Sequence, residues 1–157
     1  MTAIANQLAD VAERHSLTVA VAESLTAGNL AAALGAAPNS AAWFRGAVIA
    51  YAKEVKQRVL DVPDVPVVSE TAATAMAEDV RILMDADIAV ATTGVGGPGP
   101  QGGEPAGSVW FCTVSCADGR TIHRQFDGDP AEILDQSIQY AIELLLSMAR
   151  TIIDNAR

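Results

Sequence analysis

The run Thr18-Val19-Ala20-Val21-Ala22 is uncharged and apolar from its second residue onward. A strand that is apolar on both faces needs cover on both faces, so it belongs inside a sheet sandwiched by helices. The flanking sequence supplies the cover. Ile4, Leu8, Val11 and His15 recur at helical spacing and predict an amphipathic helix over 2–15, and Asn29 to Leu34 predicts another. Ala47 to Tyr51 reads as a second strand, followed by a helix over Ala52 to Leu60. Asp61 to Pro66 contains two prolines and cannot be helical. Ser69 then caps a helix that runs to about Met84.

Asp87 to Thr93 is a third strand. Gly107 to Ala117 is a fourth, Asp118-Gly119 signals a hairpin, and Arg120 to Phe126 returns antiparallel. Asp129-Pro130 opens the final helix with proline in its first turn. Leu134, Ile138, Ala141, Leu145, Met148 and Ile152 give that helix an apolar face, which must be buried against the sheet or a second subunit. The order of elements implies a single α/β domain over residues 1–157. Its expected architecture is a three-layer α/β/α sandwich with a mixed, mostly parallel sheet and an antiparallel hairpin at one end.

Composition narrows the function. The formal net charge is −9, which argues against sequence-independent nucleic-acid binding and against adsorption to anionic membrane. No apolar stretch is long enough for a membrane span, and the first residues lack the pattern of a secretory signal. A cytoplasmic protein with reduced thiols is expected. Cys112 and Cys116 are not expected to form a disulfide. With His15 and His123 distant from each other, no metal-site spacing is present, and no cofactor is expected.

Three places carry candidate chemistry. Ser24 follows the first strand at once, at a strand-to-helix turn where a hydroxyl is exposed and backbone N–H groups are unpaired. Such a turn suits a nucleophile with anion stabilisation, although a helix-capping role for Ser24 or Thr26 uses the same geometry. On the helix over Ala52 to Leu60, Lys53, Glu54, Gln57 and Arg58 form the polar face. Lys56 falls among Ala52, Val55, Val59 and Leu60. It is one of only two lysines, and it either snorkels from the edge of the stripe or is a buried amine with a lowered pKa. The stretch Gly94 to Gly103 has six glycines in ten residues and no lysine. A loop of this kind after a strand can bring N–H groups to an anionic ligand. Trp43 and Phe44 are adjacent aromatics, best read as a packed corner.

Three separated patches resemble one family. Val21-Ala22-Glu23-Ser24-Leu25-Thr26-Ala27-Gly28 is similar to the AES-x-TGG signature of the CinA C-terminal domain, the nicotinamide mononucleotide deamidase family. Ser40 to Gly46 with Tyr51 and Lys56 resembles its S-x-WF-x-GG … Y-x-x-x-x-K stretch. Thr93 to Pro98, with Gly102-Gly103 and Pro105 to Val109, resembles its TGIAGP-x-GG … PVGTV stretch. The resemblance runs from about residue 4 to 150. It implies hydrolysis of the carboxamide of nicotinamide mononucleotide to nicotinic acid mononucleotide and ammonia, in pyridine nucleotide salvage. Ser24 would be the nucleophile, Lys56 the base, and Tyr51 part of their network. Substrate contacts are expected from Glu23, Thr26, Gly28, Arg45, Thr93, Gly94, Gly96 and Gly97. The partner is then a small nucleotide, and a homodimer is expected. The sequence departs from the pattern at Ala27 and Ala47, where the family has glycine. It departs again at Pro130 and Leu134, where the family has arginines assigned to substrate phosphate.

Overall fold

A computed structural model describes residues Met1–Arg157. Five strands form one sheet in the order β2-β1-β3-β4-β5. They are β1 (Val19–Glu23), β2 (Phe44–Ile49), β3 (Ile88–Gly94), β4 (Ser108–Ser115) and β5 (Gly119–Gln125). β1 pairs parallel with both β2 and β3, whereas β4 runs antiparallel to β3 and β5. Four strands therefore point one way, and β4 alone runs against them.

Six helices cover the two faces. α1 (Thr2–Arg14), α2 (Asn29–Gly35), α3 (Ser40–Trp43) and α6 (Pro130–Asn155) lie on one side, and α4 (Lys53–Leu60) and α5 (Glu70–Leu83) on the other. Strand alternation divides the core accordingly. Val19, Val21, Ile88, Val90, Val109 and Phe111 face α1, α2 and α6. Ala20, Ala22, Ala89, Ala91, Cys112 and Val114 face α5 and Leu60 of α4. The small alanines let α5 approach the sheet closely. No helix is long and apolar enough to cross a membrane.

The elements match the sequence expectation with one shift. β2 begins at Phe44, three residues early, and ends at Ile49. Its register with β1 skips Arg45, since Val19 pairs with Phe44 and Ala20 with Gly46. This bulge, with Gly46 at φ +137, draws the aromatic corner into the sheet edge. Trp43 is buried there, donates from Nε1 to Pro38 O at 3.0 Å, and lies 6.1 Å from the Phe44 ring.

The apolar face of α6 is spent inside the chain, on the sheet and on α1, where Ala5, Leu8, Ala9 and Ala12 are buried. His15 ends up as the exposed C-cap of α1, off its core face. Asp129 and Glu132 form a capping box around Pro130, and Ser69 Oγ accepts from Ala72 N at 3.2 Å. Cys112 is buried, Cys116 is exposed, and both are free thiols.

Ala27 adopts φ +48, a left-handed conformation, while its side chain is exposed. A side chain costs about 1–2 kcal/mol there, of which glycine's greater unfolded-state entropy offsets about half. Ala27→Gly is expected to raise the melting temperature by roughly 1–4 °C in a thermal melt.

Candidate active site

The chain passes from β1 to β2 on one flank of β1 and then crosses to β3 on its other flank. The crossovers run over opposite faces, so a crevice opens beyond the C-terminal ends of β1 and β3. In open α/β sheets such a switch point is where ligands bind. Ser24 leaves β1 at this crevice, and the glycine loop leaves β3 beside it.

Ser24 directly follows Glu23, the last residue of β1, at the C-terminal end of that strand. It is 8% exposed. Lys56 sits one turn before Leu60 on α4, and Leu60 packs in the same cluster as Ala20 and Ala22. Lys56 thus stands on the helix that packs against the Ala20 and Ala22 face of the sheet. Lys56 is 1% exposed, and no carboxylate pairs with it. Its Nζ donates to Tyr51 O at 3.0 Å. Burial disfavours the charged amine and lowers its pKa from 10.5 to about 8. An amine of this kind is partly neutral near physiological pH and can accept a proton.

The wheel reading of α4 holds for Lys56 and not for its neighbours. Val55 and Val59 are 36% and 45% exposed. α4 packs through a narrow strip, Lys56 and Leu60, rather than a wide stripe. Tyr51 is 71% exposed, and only its carbonyl meets Lys56.

Glu23 is the residue whose role the sequence obscured. It was expected to touch substrate, but it is fully buried on the α2 side, in phase with Val19 and Val21. Its Oε1 accepts from Gly28 N at 3.1 Å and Leu30 N at 3.0 Å, and Oε2 accepts from Ala31 N at 3.0 Å. The carboxylate occupies the start of α2 as an internal anion. The Gly28 amide is thereby spent and is not a substrate donor. The sequence signal for this cap is a carboxylate six residues before the helix start at Asn29.

Other expected contacts are also internal. Thr26 Oγ1 and Thr92 Oγ1 share a buried hydrogen bond at 3.0 Å. Thr93 Oγ1 donates to Val67 O at 2.6 Å, tying β3 to the segment before α5. Gly94 lies against β4 so closely that a Cβ would stand 2.6 Å from Ser108 O. Arg45 is at the start of β2, about 13 Å along the strand from its C-terminal end, and donates from Nε to Met84 O. Arg124 pairs with Val109 on the α6 face and stacks over Tyr140 at 4.7 Å. Arg45 is thus at the opposite end of the sheet from Ser24, and Arg124 is engaged with α6 at the far edge strand.

What remains open at the crevice is backbone. The N–H groups of Leu25 and Thr26 donate to no acceptor in the chain, and the same holds for Gly96 and Gly97. Pro130 and Ile133 at the start of α6 approach the position a Gly97 side chain would take.

A buried serine where β1 ends at the switch point of an α/β sandwich, and a buried lysine on α4 with no carboxylate partner, are the candidate chemistry of the site. The comparisons name the family. The CinA C-terminal domain model matches residues 1–149, and the chain belongs to that family. A Klebsiella pneumoniae CinA superfamily structure superposes with TM-score 0.91 at 31% identity, covering 96% of this chain and 98% of that one. An Escherichia coli superfamily structure gives 0.89 at 31%, covering 94% and 89%. The nicotinamide-nucleotide amidohydrolase PncC of Pseudomonas putida is 34% identical over 94% of this chain and 96% of its own length. A Mycobacterium CinA-like protein is 41% identical over 82% of this chain. The chain spans only about a third of that longer relative, and 35% of a competence-damage inducible relative from Lactiplantibacillus plantarum.

Proposed function

We propose that the chain is an amidohydrolase that cleaves the carboxamide of nicotinamide mononucleotide to nicotinic acid mononucleotide and ammonia, through Ser24 and Lys56 and without a metal. The observation that carries this reading is the buried Lys56 amine, lowered to about 8, in a chain whose Ser24 is buried at the end of β1. The full-length similarity to the Pseudomonas putida amidohydrolase supports the substrate. The two unpaired cysteines support a reducing, cytoplasmic setting.

In this reading neutral Lys56 takes the Ser24 proton as Oγ attacks the carboxamide carbon. The developing oxyanion meets the open N–H groups of the Ser24 turn, Leu25 and Thr26, where a pair of preorganised donors is worth several kcal/mol. The C–N bond then breaks, ammonia leaves with the Lys56 proton, and an ester to Ser24 remains. Water attacks the ester, Lys56 again takes a proton, and its return to Ser24 Oγ releases the acid. The open amides of Gly96 and Gly97 are the proposed phosphate donors.

Ammonia release from nicotinamide mononucleotide, without added metal, tests this. Wild type is expected to turn over. Ser24→Ala should lose activity by about 10³-fold or more while keeping its fold, and Lys56→Arg should fail because guanidinium stays charged. Activity retained in Ser24→Ala would exclude the dyad.

One observation favours a less anionic amide. Arg45 and Arg124 are engaged elsewhere, and Asp127, Asp129 and Glu132 surround the start of α6. Turnover of nicotinamide riboside at a higher kcat/KM than the mononucleotide would select that reading.

A further inference from the structure

The loop from β3 to β4 has almost no internal support. Between Gly96 and Glu104 its only main-chain hydrogen bonds are the reciprocal pair joining Gln101 and Glu104. Glu104 is also the one charged residue between Val95 and Gly107. Its carboxylate is held from outside the loop. Ser108 Oγ, fully buried at the start of β4, donates to Glu104 Oε2 at 3.3 Å and lies 2.8 Å from His123 Nε2. A hydroxyl has a single proton. With that proton directed at Glu104, His123 Nε2–H donates to Ser108, and the bonds run one way from His123 through Ser108 to Glu104. The His123 ring also lies against Trp110 at 5.0 Å.

The register fixes where this chain of bonds stands. Trp110 pairs with both Thr93 and His123, and Ser108 lies two residues further along β4. Thr93 is in phase with Ala91, which faces α5 as Ala22 does. Ser108 and His123 are therefore on the α5 face, at the end of the sheet where Ser24 leaves β1; Ser108 is two strands from β1 and His123 three. A second tether, Gln125 Nε2 to Ala106 O at 2.8 Å, holds only the returning arm of the loop.

We propose that Glu104, Ser108 and His123 are a latch that fixes the glycine loop over the crevice, with Ser108 and His123 as positioning residues for substrate binding. The binding part rests on the amidohydrolase reading; the latch itself does not. Its test is backbone 15N relaxation on the full chain, with steady-state kinetics on nicotinamide mononucleotide as probe. Wild type and Ser108→Thr should keep the Gln101 and Glu104 amides rigid, with order parameters near about 0.85, and Ser108→Ala should drop them below about 0.6. His123→Ala, at an exposed side chain, is the second variant should Ser108→Ala fail to fold, and it should give the same drop. Both alanine variants should raise KM at least fivefold with kcat within twofold. Unchanged order parameters, or a loop already mobile in wild type, would overturn the latch. A fall in kcat with KM unmoved would overturn the positioning role. A wild type with no turnover would remove the amidohydrolase reading and leave the relaxation data to decide the latch.

Discussion

Lys56→Met is expected to abolish turnover and, at neutral pH, to make the protein more stable. The native amine has a pKa of about 8 against 10.5 in the unfolded chain, because burial disfavours its charge. Below pH 8 both states hold the proton, and the native state bears the full penalty of a buried cation. Between 8 and 10.5 the native state releases its proton first, so stability rises with pH. Above 10.5 the penalty is gone. The shift corresponds to about 3 kcal/mol. Loss of the donor to Tyr51 O costs about 1 kcal/mol in return. The net gain below pH 8 is about 2 kcal/mol, or roughly 4–8 °C in melting temperature. Turnover should fall by about 10²–10⁴-fold, the usual contribution of a general base. Thermal melts at pH 7 and pH 10.5 check the first part, since the gain should vanish at the higher pH. A residue that lowers stability and carries activity is the expected signature of a functional group; a merely structural lysine would destabilise when replaced.

Glu23→Ala is expected to have the largest destabilising effect at the site. Three backbone N–H groups, of Gly28, Leu30 and Ala31, would lose their acceptor in a buried place. Each such loss costs about 1–3 kcal/mol, so a total of about 3–5 kcal/mol is expected. The melting temperature should fall by about 10 °C. Activity should be lost at temperatures where the fold survives, because the carboxylate ties the end of β1 to α2 and so sets the turn that carries Ser24. Glu23→Gln keeps one acceptor oxygen and should recover part of the stability. Denaturant unfolding of the three proteins, read by circular dichroism, checks the order Glu23, Gln, Ala.

The sandwich was legible because each element is patterned locally. β1 and β3 are apolar runs, α5 and α6 carry their caps in sequence, and Asp118-Gly119 marks the hairpin. β2 was misplaced by three residues because its first half is held by a bulge against β1 and not by local alternation. At the site, Ser24 and Lys56 could be singled out from a turn and a helical wheel. Several side chains expected to contact substrate have internal partners far away in sequence. Thr26 meets Thr92, Thr93 meets Val67, and Arg45 meets Met84. No local pattern encodes those pairings, so a polar residue near a catalytic motif reads as a ligand contact until the fold supplies its partner. The Ser108 to His123 contact was hidden for the same reason, since it depends on hairpin register.

The most direct test of the account is the pH dependence of kcat/KM for ammonia release from nicotinamide mononucleotide. The attacking step needs Lys56 neutral. The rate should therefore rise tenfold per pH unit up to about 8 and level off above it, and Ser24→Ala should show no such profile. A profile that is flat from pH 6 to 9, or that breaks well below pH 8, would contradict a buried lysine as the base.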